Sequence, residues 1–165
     1  MTKGTDDTAN LDKLKQEYEE LKLKYSLPEF YELNKLFDIE ETDVDTDFLL
    51  RKIRRTISER ITAYSRFVDL ILNPSNAPMF FFKLIKKIDS KDKEVLNEIY
   101  NILGNLEIKI LTLDLDYSEE KEVDFIKKTF EIFDKKVRLN FLEVIKKLEN
   151  CEIDCKKENG RSYFG

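Results

Sequence analysis

The chain has 165 residues, 41% hydrophobic and 38% charged, with a net charge of −5, 2 Cys and no His. That length suits one domain able to bury a core without disulfides or a metal, and the apolar share excludes a disordered chain. The absence of histidine excludes Ser–His and Cys–His dyads, a histidine general base and Glu-x-x-His di-iron ligand pairs. The expectation is therefore a protein that is not an enzyme and needs no cofactor.

No run of about 20 apolar residues is present, so no segment is expected to span a bilayer. The polar start MTKGTDDTAN lacks the apolar stretch of a secretory signal, which predicts a soluble, cytoplasmic protein. With only 4 Gly and 3 Pro among many Lys, Glu, Leu and Ile, long helices are favoured over tight turns.

Residues 1–9 are expected to be disordered. From Asn10, the residues Leu11, Leu14, Tyr18, Leu21 and Tyr25 recur at helical spacing. In SLPEFYELNKLFD, Ser26 and Glu29 have capping-box spacing and Pro28 suits a first turn, so a short helix is expected over 28–38. The acidic segment DIEETDVDTD would connect it to a long helix over 46–72. Leu49, Leu50, Ile53, Ile57, Ile61, Tyr64, Phe67, Val68 and Ile71 share one wide arc of that helix.

NPSNAP interrupts the pattern because Pro74 cannot continue a helix, and Pro78 opens a short apolar helix over 78–88. Ser90 is the expected cap of a further long helix over 91–117, marked by Val95, Ile99, Ile102, Leu106, Ile110, Leu113 and Tyr117. Gly104 inside it costs about 1 kcal/mol against Ala. LEIKI and LTLDLDY also alternate with period 2, as a strand would, but a lone strand would lack a partner. Ser118 caps the last region, 119–149, with Glu119 and Glu120 favourable in its first turn and a break near Asp134 allowed. The fold class expected is all-α: an antiparallel bundle of about four long helices plus two short ones, a single domain over 10–149, followed by a flexible tail over 150–165.

Charge is distributed unevenly. Residues 1–47 hold 6 Lys/Arg against 14 Asp/Glu, residues 48–88 hold 9 against 2, and residues 89–165 hold 14 against 18. On the helix over 46–72, Arg51, Arg55 and Arg66 lie near the centre of the polar face, with Lys52 and Arg54 towards its two edges. Such a face can track a phosphate backbone, although Glu59 within it and Asp69 beside it repel phosphate. The competing reading is a solvated face neutralised by the acids before it. Arg60 projects at about 120° from Phe48, inside the apolar arc, and so must find a carboxylate or carbonyls, or snorkel out to solvent. A pair with a carboxylate of another long helix is the plainer reading, and an arginine that holds an anionic ligand the sharper one.

Four further features have plain alternatives. DVDTD matches the start of an EF-hand loop at Asp43, Asp45 and Asp47, but Phe48 and Arg54 stand where glycine and glutamate are needed. The cluster Asp114, Asp116, Glu119 and Glu120 is explained by a helix end and cap. Cys151 and Cys155 would need two more ligands to hold zinc, so no metal is expected. PMFFFKLI places Met79, Phe80, Phe81 and Phe82 in one turn, to be either core or a docking surface for a partner; Tyr163 and Phe164 are lesser anchors.

The phrases SLPEFYELNKLFDIE and LDYSEEKEVDFIKK resemble small, uncharacterised all-helical proteins of archaea. That resemblance implies a helical fold and no particular activity. The function expected is a helical interaction protein (an adaptor or scaffold) that docks on a protein partner. The alternative is association with RNA or DNA through the basic face.

Overall fold

The computed structural model describes the backbone of residues 4–42 and 48–149, and the side chains of 10–42 and 48–149 except Asn76 and Phe80. The fold is all-α, with helices packed on one another and, among the described residues, no strand. The elements are α1 (Gly4–Tyr25), α2 (Phe30–Phe37), α3 (Leu49–Leu72), α4 (Met79–Ile85), α5 (Ser90–Leu115), α6 (Glu119–Ile132) and α7 (Arg138–Glu149). Short 3₁₀ turns sit at Ile39–Glu41 and Pro74–Asn76, and a π turn at Phe133–Val137 joins α6 to α7.

α3 is the central element, packing on α5 and α6 and touching α1, α2 and α4 as well. Its sequence explains this. Leu50, Ile53, Ile57, Ile61, Val68 and Ile71 fall on one side of the helix and are all buried. α5 answers with Leu96, Ile99, Leu103, Leu106 and Leu113, and α6 with Val123, Phe125 and Ile126. α1 closes another side: Tyr18 is fully buried, stacks edge-on against Phe30 at 5.3 Å and donates its hydroxyl to the Pro28 carbonyl at 2.7 Å. Lys127 on α6 donates to the Tyr25 carbonyl at 3.0 Å, tying the end of α1 to α6.

Several boundaries differ from the sequence expectation. The backbone is helical from Gly4, so α1 begins ahead of the start at Asn10 read from the apolar spacing. Ser26 is not the cap of α2. It adopts a left-handed φ of 54° as α1 ends, and α2 begins at Phe30 with Glu29 as its N-cap. Pro28 explains this, since it disfavours helix at Leu27, the residue before it. The cap of α5 is Asp89, not Ser90: Asp89 accepts from the Asp92 N–H at 2.8 Å, and the Asp92 carboxylate accepts from the Asp89 N–H at 3.3 Å. Ser118 caps α6 as the sequence suggests, accepting from the Lys121 N–H at 3.2 Å. The break foreseen near Asp134 is the π turn, where the Arg138 N–H reaches the Phe133 carbonyl five residues back. The inserted residue keeps both Phe133 and Val137 in the core.

The interval 43–47, with the EF-hand-like aspartates, lies outside the described residues, as do Cys151, Cys155, Tyr163 and Phe164 and the rest of 150–165.

Candidate functional site

The two arginines singled out on α3 trade places. Arg54, expected at an edge of the polar face, is 3% exposed. Arg60, expected inside the apolar arc, keeps 35% of its side chain in solvent. The cause is which helices cover α3. α5 and α6 lie over the flank that carries Arg54 and Ser65, whereas the flank of Arg60 faces the turn after α2. There, Arg60 pairs with Asp38 and reaches Glu41 at 3.6 Å. Asp38 ends α2 in a left-handed conformation with φ 51°, which an aspartate tolerates.

Arg54 sits in a buried ion cluster. Its guanidinium donates to Asp114 of α5 at 2.7 Å, and its Nε lies 3.5 Å from Glu122 of α6. Glu122 is 0% exposed, and Arg51 approaches the same oxygen at 3.7 Å. Neither Glu122 oxygen makes a hydrogen bond. Burial therefore pushes the Glu122 carboxyl above its usual range, with Arg54 and then Arg51 opposing that shift. Arg51 itself is held over the Tyr117 ring at 3.9 Å and near Phe48 at 5.7 Å. A cleft of ≈ 430 Å³ opens beside the cluster, lined by Arg51, Arg54, Arg55, Ser58, Glu59 and Asp114 with Ile110 and Leu113.

This geometry reduces the basic face that the sequence suggested, already interrupted by Glu59. Arg54 is interior and ion-paired, Arg51 is bound to two aromatic rings and a carboxylate, and Lys52 is partly covered. Arg55 and Arg66 remain exposed, with Glu59 exposed between them. The acidic cluster at the α5–α6 junction is likewise engaged. Asp114 holds Arg54, Asp116 pairs with Lys121, and Glu119 lies 3.6 Å from Lys24. Among the described residues, no group of three or more Cys, Asp or Glu is placed to hold a metal ion.

The apolar turn at 79–82 divides between solvent and core. Met79 is 86% exposed and Phe82 42% exposed, while Phe81 is half-buried with its ring 6.1 Å from Phe67 of α3. The side chain of Phe80 is outside the described residues. From Phe67 a file of rings continues inward: Phe67 to Phe141 at 6.1 Å, Phe141 to Tyr64 at 5.6 Å, Tyr64 to Phe133 at 6.2 Å, and Phe133 to Phe37 at 4.9 Å.

Along the outer side of that file runs an apolar groove of ≈ 590 Å³ between α3 and α7. Ala63, Tyr64 and Phe67 form one wall, and Val137, Phe141, Leu142 and Ile145 form the other; Arg138 also lines it. The helix phase read from the sequence placed Tyr64 and Phe67 on the apolar arc of α3. The signal available was Leu139 and Leu142, two leucines off the core stripe, both exposed.

No family model, curated protein or solved structure matches the chain. No helix among the described residues is long and apolar enough to cross a membrane.

Proposed function

We propose that the protein is a non-enzymatic helical docking module, and that its partner is a protein presenting an amphipathic helix with an acidic polar face. The observation that carries this reading is the apolar groove lined by Tyr64, Phe67, Phe141, Leu142 and Ile145, whose Phe67 also meets Phe81 of α4, a helix that leaves Met79 and Phe82 exposed. A groove of that size, walled by two helices, suits the apolar residues at i, i+3/i+4 and i+7 of an incoming helix. The charge in the lining is Arg138, and Lys86 and Lys87 follow α4. Acids on the partner's polar face complement these.

The alternative, nucleic acid along Arg51, Lys52, Arg54, Arg55 and Arg66, has less behind it. Two of those five cations are held by Glu122, Asp114 and Tyr117.

Selection from a displayed library of random 14-residue helical peptides tests the proposal. Enriched peptides should carry apolar residues at helical spacing with an excess of Asp and Glu. They should lose binding to the double variant M79D L142D and keep it with R55E R66E. Enrichment of peptides indifferent to M79D L142D, or no enrichment, contradicts the proposal.

A further inference from the structure

α5 carries two apolar faces. One, made by Ile99, Leu103, Leu106 and Leu113, is buried. The other leaves Ile108 63%, Leu111 62% and Leu115 90% exposed, on the side of α5 away from the core. The strand-like alternation of LEIKI and LTLDLDY is this pair of faces on one helix. These three side chains together present apolar surface on the order of 400 Å², within the range of the largest patch a monomer leaves exposed. It is about half of the roughly 800 Å² that a specific interface buries on each partner, the rest falling to the flanking polar side chains of the helix.

Gly104 belongs to the same line of positions, one turn before Ile108. A Cβ added to it would meet nothing within 4 Å. Packing within the chain therefore gives no reason for a glycine in the middle of this helix, where it is disfavoured. A close approach by a second helix gives one, since a missing side chain lets two backbones come together.

We infer that this face pairs with the same face of a second copy of the chain, the two α5 helices lying antiparallel. The spacing argues for a copy of itself. Gly104, Ile108, Leu111 and Leu115 are separated by 4, 3 and 4 positions, a pattern that reads the same in both directions. Under a twofold axis, Ile108 of one copy meets Leu111 of the other, and the Gly104 notch receives Leu115, the most exposed of the three. Among the polar neighbours, the Thr112 hydroxyl already donates to the Ile108 carbonyl at 3.0 Å.

Sedimentation equilibrium of the full chain from about 1 μM to about 1 mM tests this. The wild type should dimerise, and I108E L111E should be monomeric with an unchanged helical circular-dichroism spectrum. G104A separates packing from propensity. In the I108E L111E background it should raise the melting temperature, because alanine favours the helix and meets no neighbour. In the otherwise wild-type chain it should weaken dimerisation at least tenfold, because the notch is filled. A monomer throughout, a dimer that survives I108E L111E, or a tighter dimer in G104A overturns the inference.

Discussion

The two halves of α3 use their side chains in opposite ways. In the first half, Arg51, Arg54 and Arg60 turn their charge onto the protein's own carboxylates, Glu122, Asp114, Asp38 and Glu41. In the second half, Ala63, Tyr64 and Phe67 leave apolar surface open beside α7 and α4. The most basic part of the sequence is thus largely consumed in holding helices together, while the surface left for a partner is apolar. Net charge along a sequence shows where cations are. It does not show which of them the fold has already engaged.

The sharpest way to break this contrast is Arg54→Ala. It removes the interior partner of Asp114 and Glu122 and leaves a buried carboxylate with only Arg51 near it. A loss of about 3–5 kcal/mol in urea denaturation at neutral pH is expected. A loss under about 1 kcal/mol would mean the cluster is dispensable. The same variant should recover part of its deficit in acid, where Glu122 is protonated and no longer needs a cation.

Glu122 sharpens the comparison through pH. Its folded-state pKa lies above the ordinary value of 4.5, so the folded chain keeps a proton that the unfolded chain has released. Its contribution is fully present below about 4.5 and is lost as pH rises through the raised pKa. Glu122→Gln should therefore gain stability relative to wild type as pH climbs through that window. Parallel stability–pH curves for the two proteins would contradict the assignment.

Arg60→Ala should cost far less, about 0–1 kcal/mol, because Arg60 keeps a third of its side chain in water and its partners are more exposed still. High salt should shrink even that loss. The smallest effect on stability belongs to the open surface. M79D L142D should melt within about 0.5 kcal/mol of wild type, since both side chains are solvent-exposed. It should nonetheless lose the acidic helix peptides.

The helical period made most of the fold legible. The apolar arc of α3 from Leu49 to Ile61 and the Ser118 cap stand in the structure as the residues suggested. On α5, Ile99, Leu106 and Leu113 are buried as expected, but Tyr117 is exposed beyond the helix end, and the buried Leu96 and Leu103 lie off the expected stripe. Arg54 and Arg60 were misplaced because a helical wheel gives the angle of a side chain but not which neighbouring helix covers it. The caps at Ser26 and Ser90 failed for local reasons: Pro28 displaces the start of α2, and Asp89 with Asp92 makes the stronger reciprocal pair. The groove could not be read because the phase of a single helix does not show that α7 leaves Leu142 and Ile145 open beside Tyr64 and Phe67 of α3. The exposed face of α5 was present in the sequence as period-2 alternation, which a choice between strand and helix conceals.

Amide chemical-shift mapping of a selected acidic helical peptide on the ¹⁵N-labelled protein tests the docking account most directly. The account predicts shifts concentrated at Ala63–Phe67, Val137–Ile145 and Met79–Phe82. Shifts gathered instead around Arg55 and Arg66, or along the exposed face of α5, would contradict it.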